Sequence, residues 1–253
     1  MNSLKIRNVT IGEGVPKICV PIVGMTREDI LCEAGKIADS SADIVEWRAD
    51  WYEDVFNPEE SVGVLKELRG ILKEMPILFT FRTAREGGEK EIAPEDYASL
   101  NLKAAESGCA DLIDVEAFTG DEIVEKMIEG IHKCGAKVIA SNHDFEKTPG
   151  REEIVRRLLA MQDAGADIVK IAVMPRTRRD VLTLLEATED MREQYADRPF
   201  ITMSMGRIGG ISRLCGETFG QAVTFGASGM TSAPGQMQAE DLKKALMMLH
   251  GNS

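Results

Sequence analysis

A lysine in the middle of an apolar strand is the residue of this sequence that most clearly could do chemistry. Lys170 lies within Ala166–Pro175, a segment rich in Val and Ile that follows Gly165. Such a segment is typical of a strand buried on both faces of a parallel sheet. Burial disfavours the charged form of a lysine, and a partly neutral amine can attack a carbonyl carbon to form a Schiff base. The alternative is a buried stem whose ammonium reaches solvent or pairs with a carboxylate.

Charged residues on two other strands could surround this amine. Glu46, Arg48 and Asp50 alternate with apolar residues in the second strand, and the third strand ends at Arg82. A period of two places the three charges of the second strand on one face. In a parallel barrel that face is the interior, so we expect these side chains to point toward the site.

A histidine follows the fifth strand. The strand runs into Ser141–Asp144, so that His143 falls where the strand ends. A lone histidine at such a position is often structural. A carboxylate such as Glu86 can, however, orient the ring and set its basicity. With Lys170 on the neighbouring strand, we expect His143 to be a catalytic acid and base.

The last third of the chain supplies further candidates for a pocket. Met203 and Met205 share one face of the seventh strand, where they either pack in the core or form an apolar wall. Arg213 lies near the start of a helix, a position that suits a carboxylate or phosphate. Ser232 and Gln236 belong to a Ser/Gly/Pro-rich turn that could donate hydrogen bonds to a polyol.

The elements that position these residues repeat eight times. Strands are predicted at 17–23, 43–50, 76–82, 110–116, 137–142, 166–175, 199–205 and 222–226. Helices are predicted at 27–40, 58–74, 94–107, 121–134, 151–164, 178–195, 211–219 and 239–249. Eight strand–helix units in 253 residues favour a (β/α)₈ TIM barrel, whose active site lies at the carboxyl ends of the strands. Residues 4–14 predict a short N-terminal β-hairpin. The chain has no linker-like segment, so we expect a single catalytic domain over 1–253.

Composition excludes several classes of function. The formal net charge of −12 argues against non-specific binding to nucleic acid or an anionic membrane. No apolar run is long enough to span a bilayer. Five scattered cysteines without a Cys-x-x-Cys pair are typical of a reducing cytoplasm. Three histidines without metal-ligand spacing make a histidine-rich metal site improbable.

Six segments, in order along nearly the whole chain, together resemble the type I 3-dehydroquinate dehydratases of the shikimate pathway. Each is weakly specific alone, but the combination is highly specific. The segments are Glu46–Asp50, Phe79–Arg82, Ser141–Asp144, Val169–Ala172, Ser204–Arg213 and Ser232–Gln236.

The resemblance implies a syn dehydration of 3-dehydroquinate to 3-dehydroshikimate that needs no cofactor and no metal. Lys170 would form an imine with the ring ketone, which makes the adjacent C–H bond acidic. His143 would remove that proton and later protonate the departing hydroxyl. Glu86 would hold His143 in its working tautomer.

The resemblance also assigns the substrate contacts. Arg213 would clamp the carboxylate, and the loop from Ser232 to Gln236 would close over the site. The remaining hydroxyl and carboxylate contacts would come from Glu46, Arg48, Arg82, Ser232 and Gln236. The apolar wall would come from Met203, Met205 and Phe225. Members of this family are commonly homodimers.

Two other functions remain compatible with the residues alone. A Schiff-base aldolase on the same barrel would also need Lys170, but it should carry phosphate-binding glycines after strands seven and eight. Gly209 and Gly210 are only faint candidates for these. A non-catalytic metabolite-binding barrel would use Lys170 as a salt-bridge partner.

Overall fold

Eight parallel strands alternate with helices in the computed structural model, which describes residues 2–229 and 233–251. The strands are β3 (Lys17–Ile22), β4 (Ile44–Arg48), β5 (Ile77–Thr80), β6 (Leu112–Glu116), β7 (Lys137–Asp144), β8 (Ile168–Val173), β9 (Phe200–Ser204) and β10 (Val223–Ala227). The helices are α1 (Arg27–Ala38), α2 (Pro58–Leu72), α3 (Pro94–Glu106), α4 (Asp121–Lys133), α5 (Arg151–Asp163), α6 (Arg178–Asp190), α7 (Ile211–Leu214), α8 (Gly216–Phe219) and α9 (Ala239–His250).

The strands follow one another around a barrel. Strand β10 pairs with β3, and each strand from β3 to β8 pairs with the next in parallel. The Ala222 amide, just before β10, donates to the Phe200 carbonyl of β9 at 2.9 Å. The two ends of the sheet therefore meet, and the predicted (β/α)₈ barrel is confirmed. A short strand, β11 (Met237–Gln238), extends the sheet beside the carboxyl end of β10.

Alternation along each strand separates two apolar layers. In β8, Ile168 and Ala172 belong to a cluster inside the barrel, whereas Val169, Ile171 and Val173 pack against the helices. Lys170 has the parity of the inner residues, so its side chain enters the barrel. This placement follows directly from the period of two.

The predicted N-terminal hairpin is present and closes one end of the barrel. Strand β1 (Leu4–Ile6) pairs antiparallel with β2 (Val9–Ile11). Ile6 and Ile11 are buried in the same inner cluster as Ile44, near the start of the second barrel strand. The hairpin thus covers the amino-terminal end and leaves the carboxyl end for the site.

Four predicted strand ends are wrong near the site. Strands β5 and β9 end at Thr80 and Ser204, so Arg82 and Met205 follow their strands. Strand β4 ends at Arg48, and Asp50 lies in a 3₁₀ turn over Ala49–Trp51, so it is not the third residue of a strand face. Its carboxylate turns back to bind the Arg48 guanidinium. Strand β7 continues to Asp144, so His143 lies on the strand rather than after it.

Two predicted helices are also wrong in extent. The helix predicted at 211–219 is two short helices, because Cys215 leaves the helical region with φ −89° and ψ 14°. The helix predicted at 178–195 ends at Asp190 and continues as a wider π-type turn, in which the Ala196 amide donates to the Met191 carbonyl. None of the helices in residues 2–229 and 233–251 has the length and apolar character that a bilayer crossing requires.

Candidate active site

A cavity opens at the carboxyl ends of the strands and collects nearly all of the predicted site residues. Those that line it are Glu46, Arg48, Arg82, Glu86, His143, Lys170, Met203, Met205, Phe225 and Gln236. Arg213 does not line this cavity, and Ser232 lies outside the described residues. Within residues 2–229 and 233–251, no group of three or more His, Cys, Asp or Glu side chains is arranged to hold a metal ion.

The Lys170 amine lies between an aromatic ring and two carboxylates. The residue is 4% exposed, and its Nζ lies 4.4 Å from the centroid of the Phe225 ring. Asp114 Oδ2 is 3.6 Å from Nζ, and Glu46 Oε1 is 3.9 Å away. Lys170 therefore has the acidic neighbours of a salt-bridge lysine and also faces a cavity.

Asp114 was not among the sequence candidates, although the strand pattern could have found it. It is fully buried on β6, with the same inward parity as Leu112. Its Oδ1 accepts hydrogen bonds from Arg82 at 2.8 Å and from Ser141 at 2.7 Å. Among the described residues, Oδ2 accepts no hydrogen bond and is directed at the Lys170 amine. Asp114 thus supplies a negative charge directly beside the proposed nucleophile.

The two arginines of the inner wall are held by carboxylates. Arg48 donates from Nε and Nη2 to the two oxygens of Asp50 at 2.8 and 2.7 Å. Arg82 Nη1 donates to Glu116 at 3.0 Å, and burial of Arg82 works against its charge. The nearby Asp114 and Glu116 carboxylates nevertheless raise the pKa of Arg82 well above its usual value. Both guanidiniums are therefore fixed positive groups at the cavity wall.

His143 and Glu86 form the expected pair. Glu86 Oε2 accepts from the His143 backbone amide at 2.8 Å and lies 2.9 Å from His143 Nδ1. Burial raises the pKa of Glu86 to about 7. Burial, together with the positive charges of Arg82 and Lys170, lowers the pKa of His143 well below its usual value. A neutral imidazole that donates Nδ1–H to Glu86 leaves the Nε2 lone pair as a base.

Arg213 is a buried cation that has no acidic partner among the described residues. It is fully buried, and burial lowers the pKa of its guanidinium to about 10. Its Nη1 donates to the Phe225 carbonyl at 3.2 Å and its Nη2 to the Pro234 carbonyl at 3.3 Å. Among the described residues, Nε has no hydrogen-bond partner. Such a group is well suited to bind an anion.

The last loop reaches the cavity from β10. Ala233 and Gln236 line the cavity, and the Gly206 amide donates to the Pro234 carbonyl at 3.1 Å. Gly235 has φ +79°, and a Cβ at this position would lie 2.4 Å from the Gly206 carbonyl oxygen. A close contact that only glycine permits therefore holds this loop against the segment after β9.

The fold and the cavity together define a (β/α)₈ barrel with a buried amine and a carboxylate-paired histidine at the carboxyl ends of its strands. Residues 18–253 match the family model described as type I 3-dehydroquinase. The chain therefore belongs to the type I 3-dehydroquinase family.

Curated relatives and solved structures agree with this assignment. The chain is 54% identical over 247 residues to a 3-dehydroquinate dehydratase of Clostridioides difficile, covering 98% of this chain and 97% of the relative. It is 55% identical over 249 residues to a 3-dehydroquinate dehydratase of Bacillus licheniformis, with 98% of both chains covered. The structure of a type I 3-dehydroquinate dehydratase from Clostridium difficile, with covalently modified comenic acid, has a TM-score of 0.97 and 53% identity. That match covers 100% of this chain and 99% of the other.

Proposed function

We propose that this chain catalyses the dehydration of 3-dehydroquinate to 3-dehydroshikimate through a Schiff base on Lys170, as a step of the shikimate pathway. The observation that carries the mechanism is that the Lys170 amine and the His143 imidazole line one cavity. An amine nucleophile and an adjacent base are the two groups that an imine-based elimination needs.

The first half of the reaction makes the imine. The neutral amine of Lys170 adds to the ring ketone to give a carbinolamine. Protonated His143 donates a proton to the carbinolamine hydroxyl, which leaves as water and gives the protonated imine. The carboxylates of Asp114 and Glu46, 3.6 and 3.9 Å from Nζ, compensate the positive charge that this cation keeps.

The second half eliminates the hydroxyl. His143 Nε2 removes the proton adjacent to the imine carbon, and the electron pair forms an enamine. The enamine expels the β-hydroxyl, which His143 protonates, so that one water leaves. Hydrolysis of the conjugated imine restores Lys170 and consumes the water released when the imine formed. Glu86 holds the Nδ1–H tautomer that leaves Nε2 available.

Substrate binding follows from the charges around the cavity. Arg213 has no ion pair among the described residues but does not line the cavity, so it binds the carboxylate only once the Pro234 carbonyl that its Nη2 contacts moves aside. The ring hydroxyls and the carboxylate are held by Glu46, Arg48, Arg82, Ser232 and Gln236. The apolar face of the ring packs against Met203, Met205 and Phe225. Closure of the loop that contains Gln236 excludes water from the cation.

We further propose that residues 1–253 form a single catalytic domain, that the chain is a homodimer and that it works in the cytoplasm. The homodimer follows from the resemblance to the family. The compartment is supported by the five cysteines, all of which are described and free.

The function is tested by supplying 3-dehydroquinate and recording the absorbance of a conjugated enone. Its appearance, with release of water and no carbon–carbon cleavage, is the expected result. Opening of the ring to one acyclic dicarbonyl compound of unchanged mass, without loss of water, would indicate an aldolase. Binding without any turnover would indicate a metabolite-binding barrel.

A further inference from the structure

A chain of hydrogen bonds links the outer helix α5 to the imidazole of His143. Arg157 Nη1 donates to Asn142 Oδ1 at 2.9 Å, and Asn142 Nδ2 donates to Glu86 Oε1 at 3.0 Å. We propose that Arg157, acting through Asn142, is a positioning residue that fixes the tautomer of the acid–base histidine. This inference rests on the proposed function of His143.

The direction of the chain follows from the chemistry of the guanidinium. A guanidinium only donates hydrogen bonds, so the amide oxygen of Asn142 must face Arg157. The amide nitrogen then faces Glu86 and donates to it. The reversed amide would place two donors together at Arg157 and two acceptors together at Glu86. Arg157 therefore decides which way the buried Asn142 amide points.

The orientation of Asn142 in turn fixes the state of the pair beside it. Glu86 Oε1 receives the Asn142 amide, and Oε2 receives the His143 backbone amide at 2.8 Å. Hydrogen bonds donated to a carboxylate favour its ionised form. An ionised Glu86 accepts from Nδ1, and the proton-free nitrogen of the ring is then Nε2.

The charges around Glu86 and His143 make the ionisation of Glu86 near neutral pH sensitive to the hydrogen bond from the Asn142 amide. Arg82 Nη1 lies 3.6 Å from Glu86 Oε2 and favours its ionised form, whereas Glu116 opposes it. Because burial brings the pKa of Glu86 to about 7, one donor more or less changes how much of it is ionised. The other charged neighbours of the chain are Glu153 and Asp144 beside Arg157, and Lys170 and Arg48 beside His143.

Neither Arg157 nor Asn142 lines the cavity that Lys170 faces. Both instead line a second cavity on the outer side of Glu86 and His143. Their loss should therefore change proton transfer and leave substrate contacts in place. This separates a positioning role from a role in binding.

The test uses Arg157→Met, Asn142→Leu and the double variant in the full chain. Arg156→Met is the matched control, because Arg156 is on the same helix and its described bonds go only to Glu153. We expect each single variant to lower kcat by about tenfold with little change in KM, the size of one lost buried hydrogen bond. The acidic limb of the kcat profile should move to higher pH, because Glu86 loses a donor. The double variant should be no slower than Asn142→Leu alone, since Arg157 acts through Asn142.

Three results would overturn the proposal. One is an Arg157→Met enzyme with the kcat of the control. Another is a loss of kcat and thermal stability at every pH with no movement of the acidic limb, which a merely structural role gives. The third is a double variant whose losses multiply. If Asn142→Leu does not fold, Asn142→Asp replaces it, and its added negative charge should move the acidic limb further in the same direction.

A readout without substrate keeps this inference separate from the proposed function. The sequence has three histidines, so ¹⁵N resonances of the imidazoles can be assigned by substituting His132 and His250. We expect wild-type His143 in the Nδ1–H tautomer and Arg157→Met with a mixture of both tautomers. An unchanged His143 spectrum would refute the positioning role even if the enzyme dehydrates 3-dehydroquinate.

Discussion

Lys170 combines two features that the sequence analysis treated as alternatives, an acidic partner and access to a cavity. Its acidic neighbours would suit a salt-bridge lysine, yet the side chain lies at the wall of the cavity. A Schiff-base lysine needs both features, because the amine must reach a ketone and the imine that forms is a cation. The carboxylates of Asp114 and Glu46 therefore belong to the mechanism that we propose, and they do not argue against it.

Replacing His143 should separate imine formation from elimination. We expect His143→Ala to lower kcat by about 10²–10⁴-fold, the usual contribution of a general acid and base. Some imine should still accumulate on the enzyme. The control is His132→Ala, because His132 is also paired with a carboxylate, Asp167, but lies away from the cavity. Equal turnover in the two variants would make His143 a structural residue.

The pH profile should report the ionisation of Glu86. Burial raises its pKa to about 7, and its ionised form accepts Nδ1–H from His143 more strongly than the protonated form does. Activity should therefore fall as the pH drops through about 7. Glu86→Gln does not titrate, so the variant should be slower but should lack this acidic limb. Steady-state rates between pH 5.5 and 8.5 on both proteins, about 1.5 units to either side of the expected midpoint, provide the measurement. An acidic limb that persists in Glu86→Gln would assign it to another group.

Among the elements, the two-residue alternation of side chains along the strands places most of the site residues inside the barrel. The sequence could predict that Glu46, Arg48 and Lys170 point into the barrel. In β4 charged and apolar residues alternate, and β8 is an apolar strand buried on both faces. The same rule applied to β6 would have found Asp114 and Glu116. Asn142 has the opposite parity, and its role depends on a helix 15 residues later in the chain. No local pattern encodes such a contact.

Element ends were predicted less well, because tertiary contacts decide them. Strand β7 continues through His143 since its last residues pair with β8, where His143 lies opposite Ala172. Strand β4 stops at Arg48 because Asp50 turns back to bind it. Neither the residue propensities nor the two-residue alternation of the sequence reveals these two contacts. The sequence therefore predicts His143 just after the strand, whereas the structure places it on the strand.

The loop after β10 offers a matched pair of glycine substitutions. Gly235 and Gly229 both have positive φ, so Ala at either position has a similar backbone cost of about 1 kcal/mol. Among the described residues, a new Cβ at Gly235 would meet the Gly206 carbonyl oxygen at 2.4 Å, whereas none of them has an atom within 4 Å of a Cβ at Gly229. We expect Gly235→Ala to displace Gln236 and raise KM by about tenfold, roughly the loss of one hydrogen bond to substrate. Equal KM values in the two variants would show that this contact does not position the loop.

For the whole molecule, the barrel places a polar layer above an apolar one. Ile44, Leu112 and Ile168 fill the lower interior, and Glu46, Asp114 and Lys170 stand two residues further along the same strands. Eight repeats and the chain length were enough to predict this architecture. Which charges would pair across the interior was not predictable, because pairing depends on the register between strands that are distant in sequence.

The buried charges should make Asp114 important for stability as well. Asp114→Asn leaves Arg82 and Lys170 each with one negative neighbour fewer inside the barrel. We expect a loss of about 3 kcal/mol in the free energy of unfolding, as for other broken buried ion pairs. Asp241→Asn breaks an exposed pair with Lys244 and should cost less than about 1 kcal/mol. Urea unfolding at neutral pH measures both, and similar small losses would mean that Arg82 and Lys170 do not depend on Asp114.

The most direct measurement of the central claim is reductive trapping at Lys170. The wild-type enzyme and Lys170→Ala are each incubated with 3-dehydroquinate and borohydride, digested, and mapped by mass spectrometry. The proposal predicts one reduced adduct on the peptide that contains Lys170, and neither adduct nor turnover in the variant. Turnover by Lys170→Ala, or an adduct on a different lysine, would contradict it.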